Sequence, residues 1–213
     1  MTVITVTSGN VGGVGGKTTI TLALMMNTKN VAYIDLSPDN RSLSLLLGLN
    51  PPRIDVIDSV RGGKYMMYVR DGNIVIPIRH REYLELRQLG EIAPTEVQRM
   101  LRALEKTLVN KYGVENLVID TMSTVNLGLT MGAIEAADKL LIPLVREREE
   151  LIRRTVPRVG TKHIIYALNM VKENLRIDGV AAVIPYVEGA NNQLEVAERI
   201  RSYARNLMKV VLE

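Results

Sequence analysis

The sequence predicts an α/β fold: a single three-layer α/β/α domain, spanning 1–213, on a mostly parallel sheet. Three observations carry this. Short apolar runs alternate with longer amphipathic stretches along the whole chain. Runs such as TVITVT and NLVID are apolar on both faces, as strands sandwiched between helices must be. The conspicuous polar residues stand where those runs end, and open parallel sheets bind ligands at that edge.

Taken in order, Thr2–Thr7 is a β-branched run and reads as a buried strand, with Lys17–Met26 the helix after it. Asn30–Asp35 is a second strand ending in a carboxylate. NRSLSLLLGL is a short helix stopped by Pro51 and Pro52, and RIDVIDSVRGG another ended by glycines. YMMYVRDGNIVIPI forms two strands around the Asp71-Gly72 turn. Pro94 opens a long helix to about Lys111, with Val97, Leu101, Leu104 and Leu108 on one face. ENLVIDT is a strand ending at Asp120. A helix over Leu127–Ala137, a strand over Lys139–Pro143 and a basic helix from Arg146 follow. KHIIYALN and VAAVIP are the last strands, and one helix from Asn191 to Val211 closes the chain.

Composition sets bounds. The chain has 213 residues, 46% of them hydrophobic, enough for one well-buried core. Phe, Trp and Cys are absent, so aliphatic residues and Met fill the interior. Without Cys, disulfides, thiolate metal sites, cysteine nucleophiles and cysteine-held iron–sulfur clusters are excluded. His80 and His163 have no second ligand at metal spacing, so no zinc site is expected. No run is long and apolar enough to span a bilayer, and the N-terminus lacks the features of a signal peptide, so a cytoplasmic protein is expected. The net charge of +4 is compatible with polyanion binding and equally with a solvated surface.

The stretch VTSGNVGGVGGKTT carries the chemistry. A regular Walker A loop places a glycine six residues before its lysine, and here that position is Val11. The glycines nevertheless let backbone N–H groups turn toward phosphate oxygens, and a helix N-terminus follows. Gly13, Val14, Gly15, Gly16, Lys17, Thr18 and Thr19 are the nucleotide-binding candidates. Lys17 would neutralise the β- and γ-phosphates, and the Thr18 hydroxyl would ligate Mg2+. Asp35 and Asp120 end two other strands, where they can hold the waters of the same cation. The competing reading is a glycine turn with two capping aspartates.

These residues resemble the ParA/MinD ATPases. VTSGNVGGVGGKTT is similar to their deviant loop S-G-K-G-G-V-G-K-T-T with two residues added. AYIDLSPDNRSLSLLLGL resembles I-D-L-D-P-Q-x-x-x-S-x-x-L-G. LVIDTMSTVNLGLTMGAIEAADKLLIPL resembles the Walker B region, and ALNMV and VIPYVE the segments around the base. The resemblance runs through nearly the whole chain. It implies a P-loop NTPase fold of this type, ATP and Mg2+ as cofactors, and a nucleotide-dependent homodimer. It also implies an adenine contact from Asn169 and packing of Pro185 against the base; the alternative for Asn169 is a strand-end turn cap.

Two departures bear on activity. The signature lysine that precedes G-G-V-G in the family is missing, with Asn10 or Gly12 near its place. The second aspartate of D-L-D-P is replaced by Ser37, which cannot take a proton at neutral pH; Asp39, two residues on, is the candidate substitute. Losing a group that activates water costs about 10²–10⁴ in rate. The resemblance thus implies catalysis by Lys17, Asp35 and Asp39 that is slow or degenerate.

Basic residues Arg153, Arg154, Arg158, Arg201, Arg205 and Lys209 are the candidates for non-specific DNA contacts, again by resemblance; a solvated basic flank is the other reading. The function implied is a ParA-like ATPase of plasmid or chromosome partition, associated with the nucleoid and stimulated by a ParB-like partner. Two others stay open: a nucleotide-dependent scaffold with little hydrolysis, and a MinD-like positioning ATPase. Membrane binding is not expected, because ARNLMKVVLE is short, lacks Trp and Phe, and is needed for packing.

Overall fold

The computed structural model describes residues 1–8, 15–37, 43–49, 56–78, 91–122, 128–155, 163–172 and 178–212, leaving the side chains of 148, 152, 154 and 155 undescribed. Eight strands form one sheet: β1 (Thr2–Val6), β2 (Val31–Asp35), β3 (Tyr68–Arg70), β4 (Asn73–Pro77), β5 (Asn116–Asp120), β6 (Lys139–Leu144), β7 (His163–Val171) and β8 (Ala182–Pro185). Their order is β3-β4-β2-β5-β1-β6-β7-β8. Among the described strands only the β3–β4 pair is antiparallel, closed by the Asp71-Gly72 turn that the sequence predicts. β1 therefore lies between β5 and β6, deep in the sheet.

The described helices are α1 (Lys17–Met25), α2 (Leu43–Leu46), α3 (Val56–Gly62), α4 (Pro94–Tyr112), α5 (Gly128–Ala136), α6 (Glu149–Thr155), α7 (Gln193–Arg199) and α8 (Arg201–Leu212); a 3-10 turn, Arg146–Arg148, leads into α6. Alternation along each strand splits the core into two faces. Ile4, Val6, Tyr33, Val118, Leu141, Ile165 and Ile184 point toward α1, α7 and α8. Val3, Ile34, Ile76, Leu117 and Ile119 point to the other face, against Val97, Leu101, Leu104 and Leu108 of α4. Ile142, Leu144 and Leu168 extend that second face to Ile134 of α5. This is the predicted three-layer sandwich.

One boundary differs from the sequence reading. The helix expected over 191–211 is two helices, parted at Ile200, which has φ −89° and ψ 2°. Apolar residues at helical spacing face inward on both sides of the break: Ala197, Ile200, Ala204, Leu207 and Val211 are buried and Leu194 is half-buried. The bend lets α7 follow α1 while α8 also reaches β7 and β8. Asn192 starts α7, its side chain accepting the Glu195 N–H at 2.9 Å. The two short helices are described from Leu43 and from Val56, and the residues just before them lie outside the described set.

A buried polar knot ties the end of α1 to the sheet. Asn73 Oδ1 accepts the Val31 N–H at 3.2 Å, and its Nδ2 donates to the Met25 and Thr28 carbonyls at 3.2 and 2.9 Å. The Tyr33 hydroxyl bonds Thr28 Oγ1 at 2.7 Å, and burial raises its pKa well above the usual phenol value. Asn73→Ala would take the partner from the buried Val31 N–H and Thr28 carbonyl, while the Met25 carbonyl keeps the Thr28 N–H and hydroxyl, a loss on the order of 3 kcal/mol. Urea denaturation of the variant measures it; a loss below about 1 kcal/mol would mean that water or a shifted side chain replaces the amide.

Candidate functional site

The carboxyl ends of β1, β2 and β5 meet the amino end of α1. Asp35 is in register with Asp120 across β2 and β5, and Val6 with Asp120 across β1 and β5. Asp35 shares parity with Tyr33, and Asp120 with Val118, so both carboxylates stand on the α1 face. Thr18, in the first turn of α1, donates its hydroxyl to Asp120 Oδ2 at 2.7 Å. Lys17 opens the helix and is 6% exposed. Thr19 is buried behind it.

Burial governs the electrostatics here. Asp120 is 0% exposed, and its pKa is pushed up to about 7. Loss of water around the carboxylate is the largest cause, and the Asp35 charge adds to it; the Thr18 hydrogen bond and the Lys17 charge oppose both. Among the described residues Asp120 Oδ1 accepts no hydrogen bond, and the buried hydroxyls of Thr7 and Ser8, at the end of β1, have no partner either. Orphaned polar atoms in a core are costly, and a cluster of them calls for an explanation. A hydrated divalent cation fits: it would offset the paired negative charge, and its waters would donate to Oδ1. Two carboxylates and a hydroxyl are hard oxygen donors of the kind Mg2+ takes. Among the described residues no three His, Cys, Asp or Glu side chains converge to hold a metal. A cation between Thr18, Asp35 and Asp120 would therefore complete its shell with water or phosphate oxygen.

Asp35 has a second engagement that sequence reasoning missed. Its Oδ1 accepts the Ser37 N–H at 3.1 Å, and its Oδ2 accepts the Ser44 N–H at 2.8 Å together with a short bond from the Ser44 hydroxyl. The carboxylate expected to hold cation-bound water thus also anchors α2. Nothing in the local pattern marks Ser44, nine positions along the chain. Asp39, the candidate substitute for Ser37, lies outside the described residues, as do Gly13 and Val14.

The described end of the glycine loop is tightly specified. Gly16 caps α1 with φ 69°, where side chains are disfavoured, and a Cβ there would come 2.5 Å from Asn169 Nδ2. Gly15 packs against the Pro143 carbonyl at the end of β6. Asn169, 5% exposed, donates Nδ2 to the Gly15 carbonyl at 3.0 Å. In this state its amide braces the loop, a positioning contact that neither the adenine nor the turn-cap reading contained. Pro185 ends β8 opposite Val171, beyond an irregularity of β7 in which Met170 adopts φ 59°. Met170 reaches to 3.5 Å from the Cβ position of Gly16, and Lys172 lies 5.3 Å from the ring centre of Tyr186. A left-handed methionine leaves no mark in the sequence, so this corner was illegible there.

The basic candidates separate. Arg201, Arg205 and Lys209 are exposed along α8, a helix without an acidic residue. Arg153 belongs to the opposite face of the sheet: its Nε bonds Glu149 at 2.8 Å and its guanidinium lies 4.5 Å from the ring centre of Tyr166. Those two contacts account for it structurally. The Arg154 side chain and Arg158 lie outside the described residues.

Fold and site define a P-loop-type α/β protein: a central parallel strand, a glycine loop, a lysine-threonine helix start and carboxylates on neighbouring strand ends. No protein-family model matches the chain, and no curated protein matches its sequence. Solved structures do. A plasmid partition protein of Borrelia burgdorferi B31, bound to AMPPNP, is 18% identical, with 98% of this chain and 97% of that one covered at a TM-score of 0.71. The Aquifex aeolicus MinC:MinD cell division complex matches at 20% identity, 99% and 95% coverage and 0.72. The Pyrococcus horikoshii septum site-determining protein MinD with Mg-ADP matches at 19%, 93% and 95%, and 0.62. The chain has the fold of the ParA/MinD-type ATPases.

Proposed function

We propose that the chain binds Mg-ATP at the α1 edge of its sheet and acts as a ParA-like switch ATPase in the partition of plasmid or chromosomal DNA. The observation that carries this is the Thr18–Asp120 hydrogen bond, which joins the start of the loop's helix to a buried carboxylate pair beside Lys17. The AMPPNP and Mg-ADP held by proteins of the same fold support the choice of ligand.

The residues have separable tasks. Backbone N–H groups at Gly15, Gly16 and the start of α1 point the helix's positive end at the phosphates. Lys17 neutralises the β- and γ-oxygens, and desolvation makes its charge count for more there than in water. Asn169 holds the Gly15 carbonyl and with it the loop's curvature. Thr18, Asp35 and Asp120 hold the cation, which when bound screens charge on the phosphate oxygens. Asp35 shares its oxygens with Ser44, so a cation drawing on Asp35 competes with the anchor of α2, and nucleotide state is transmitted to that helix.

On this reading hydrolysis is slow, because Ser37 cannot accept a proton from water. The same substitution favours a second reading, a nucleotide-dependent scaffold with little turnover. A nucleotide-dependent homodimer and a ParB-like partner belong to the proposal, as does DNA backbone binding by Arg201, Arg205 and Lys209. Among the described residues no helix is long and apolar enough to cross a membrane.

Calorimetry with Mg-ATP tests the core of the proposal. The wild-type chain is expected to bind, and Lys17→Ala to lose at least about a hundredfold in affinity, the worth of one charge-assisted contact in a desolvated site. Equal affinity in the two would overturn it. Steady-state turnover with and without DNA then separates the two readings: none above the Lys17→Ala background favours the scaffold. DNA retention across a salt series is expected to show a shallower slope in Arg201→Ala/Arg205→Ala than in the wild type.

A further inference from the structure

Away from the glycine loop, the carboxyl half of α1 lines a second concavity of about 150 Å³. Leu22 and Met25 form its buried floor, and the half-buried Met26, Leu46, Leu47 and Leu194 its walls. An apolar space of this size accommodates a single benzene-like ring, and the two methionines let the walls adapt to one. The rim is charged unevenly. Arg70 and Asp71 pair with each other at 3.6 Å. Glu198 is exposed on the first turn of wall beyond Leu194 and makes no ion pair among the described residues. A ring-sized apolar slot beside one uncompensated carboxylate is complementary to an apolar side chain with a cation next to it. Of that wall, Leu46 is the last residue of α2, the helix whose Ser44 is bonded to Asp35, and Leu47 follows it directly. An occupant of the slot therefore touches the element that shares the carboxylate pair.

We propose that this groove docks a partner protein through a segment presenting one aromatic or branched aliphatic side chain beside a lysine or arginine. Short peptides test it on the full chain labelled with ¹³C-methyl methionine. The probes are acetyl-Ser-Phe-Lys-Ser-amide and its counterpart with Glu in place of Lys. The lysine peptide is expected to shift the Met25 and Met26 methyl resonances saturably while leaving the buried Met100 and Met122 unmoved. It is expected to bind about two- to fivefold more tightly than the glutamate peptide, the range of an exposed ion pair. That preference should vanish in Glu198→Gln, an exposed change that leaves the fold intact. Absence of a saturable shift at Met25 and Met26, equal affinity for the two peptides, or a preference undiminished in Glu198→Gln would each overturn the proposal. The two-peptide comparison needs no variant, and none of these readouts depends on nucleotide binding.

Discussion

Between pH 5 and pH 8 the nucleotide-free protein is expected to lose about 3 kcal/mol of stability through Asp120 alone. The carboxyl titrates near 7 in the folded chain, against an ordinary value of 3.8. Between those two values the native state holds a proton that the unfolded state has released. Stability is therefore full below the unfolded value and falls as pH rises through the folded one. Glu96 and Glu195 are shifted the other way by their arginine and backbone partners, so their contributions are lost only in acid, outside this range. Asp120→Asn keeps the shape of the side chain and removes its ionisation. The variant should be more stable than the wild type at pH 8, with the slope abolished, and it should bind Mg-ATP poorly. Urea denaturation at a series of pH values measures both slopes; a wild-type curve that stays flat, or a slope that persists in Asp120→Asn, contradicts the assignment. Magnesium and ATP added together should restore stability at pH 8 in the wild type and not in the variant, by the linkage of ligand to the native state.

The second large effect concerns packing. α5 crosses the start of α4 so closely that a Cβ on Gly128 would lie 1.7 Å from the Ile92 carbonyl oxygen, and one on Gly132 would lie 2.5 Å from Val97 Cβ and 2.6 Å from the Pro94 carbonyl. Helix propensity by itself would reward either glycine-to-alanine change by about 1 kcal/mol. Contact overrides it: Gly128→Ala meets backbone, which cannot swing aside, and should cost about 3 kcal/mol or more. Gly132→Ala should cost a similar amount, and little of the loss should return in the Val97→Ala background, because that change removes only the Cγ1 contact at 3.0 Å and leaves the Val97 Cβ and the Pro94 carbonyl in place. Thermal or urea denaturation of the three variants decides this; stabilisation by either alanine would show that the two helices lie farther apart than described.

Periodicity and turn chemistry made most of the architecture readable before any coordinates. Apolar runs without alternation, such as TVITVT and NLVID, announced strands covered on both faces, and these became parallel strands of one sheet. Asp35 and Asp120 could be assigned to a common edge because they end such runs, and parallel topology brings strand ends together. Local rules read less well wherever the third dimension decided. The break at Ile200 interrupts a stretch whose apolar residues keep helical spacing throughout, because α7 and α8 track different neighbours. Arg153 and Arg201 look alike in sequence, yet a sheet stands between them.

What the sequence determined by itself was the fold class, the order of the elements and the residue types gathered at the ends of the first strands. These follow from residue types at short spacing, and short spacing is what local sterics and hydrophobic patterning constrain. Tertiary structure alone decided that Asn169 braces Gly15, that Ser44 shares Asp35, that Met170 turns left-handed beside Gly16, and that two glycines seat α5 on α4. Each joins groups from separate elements, and their distances are set by how the layers pack, which no neighbouring residue encodes.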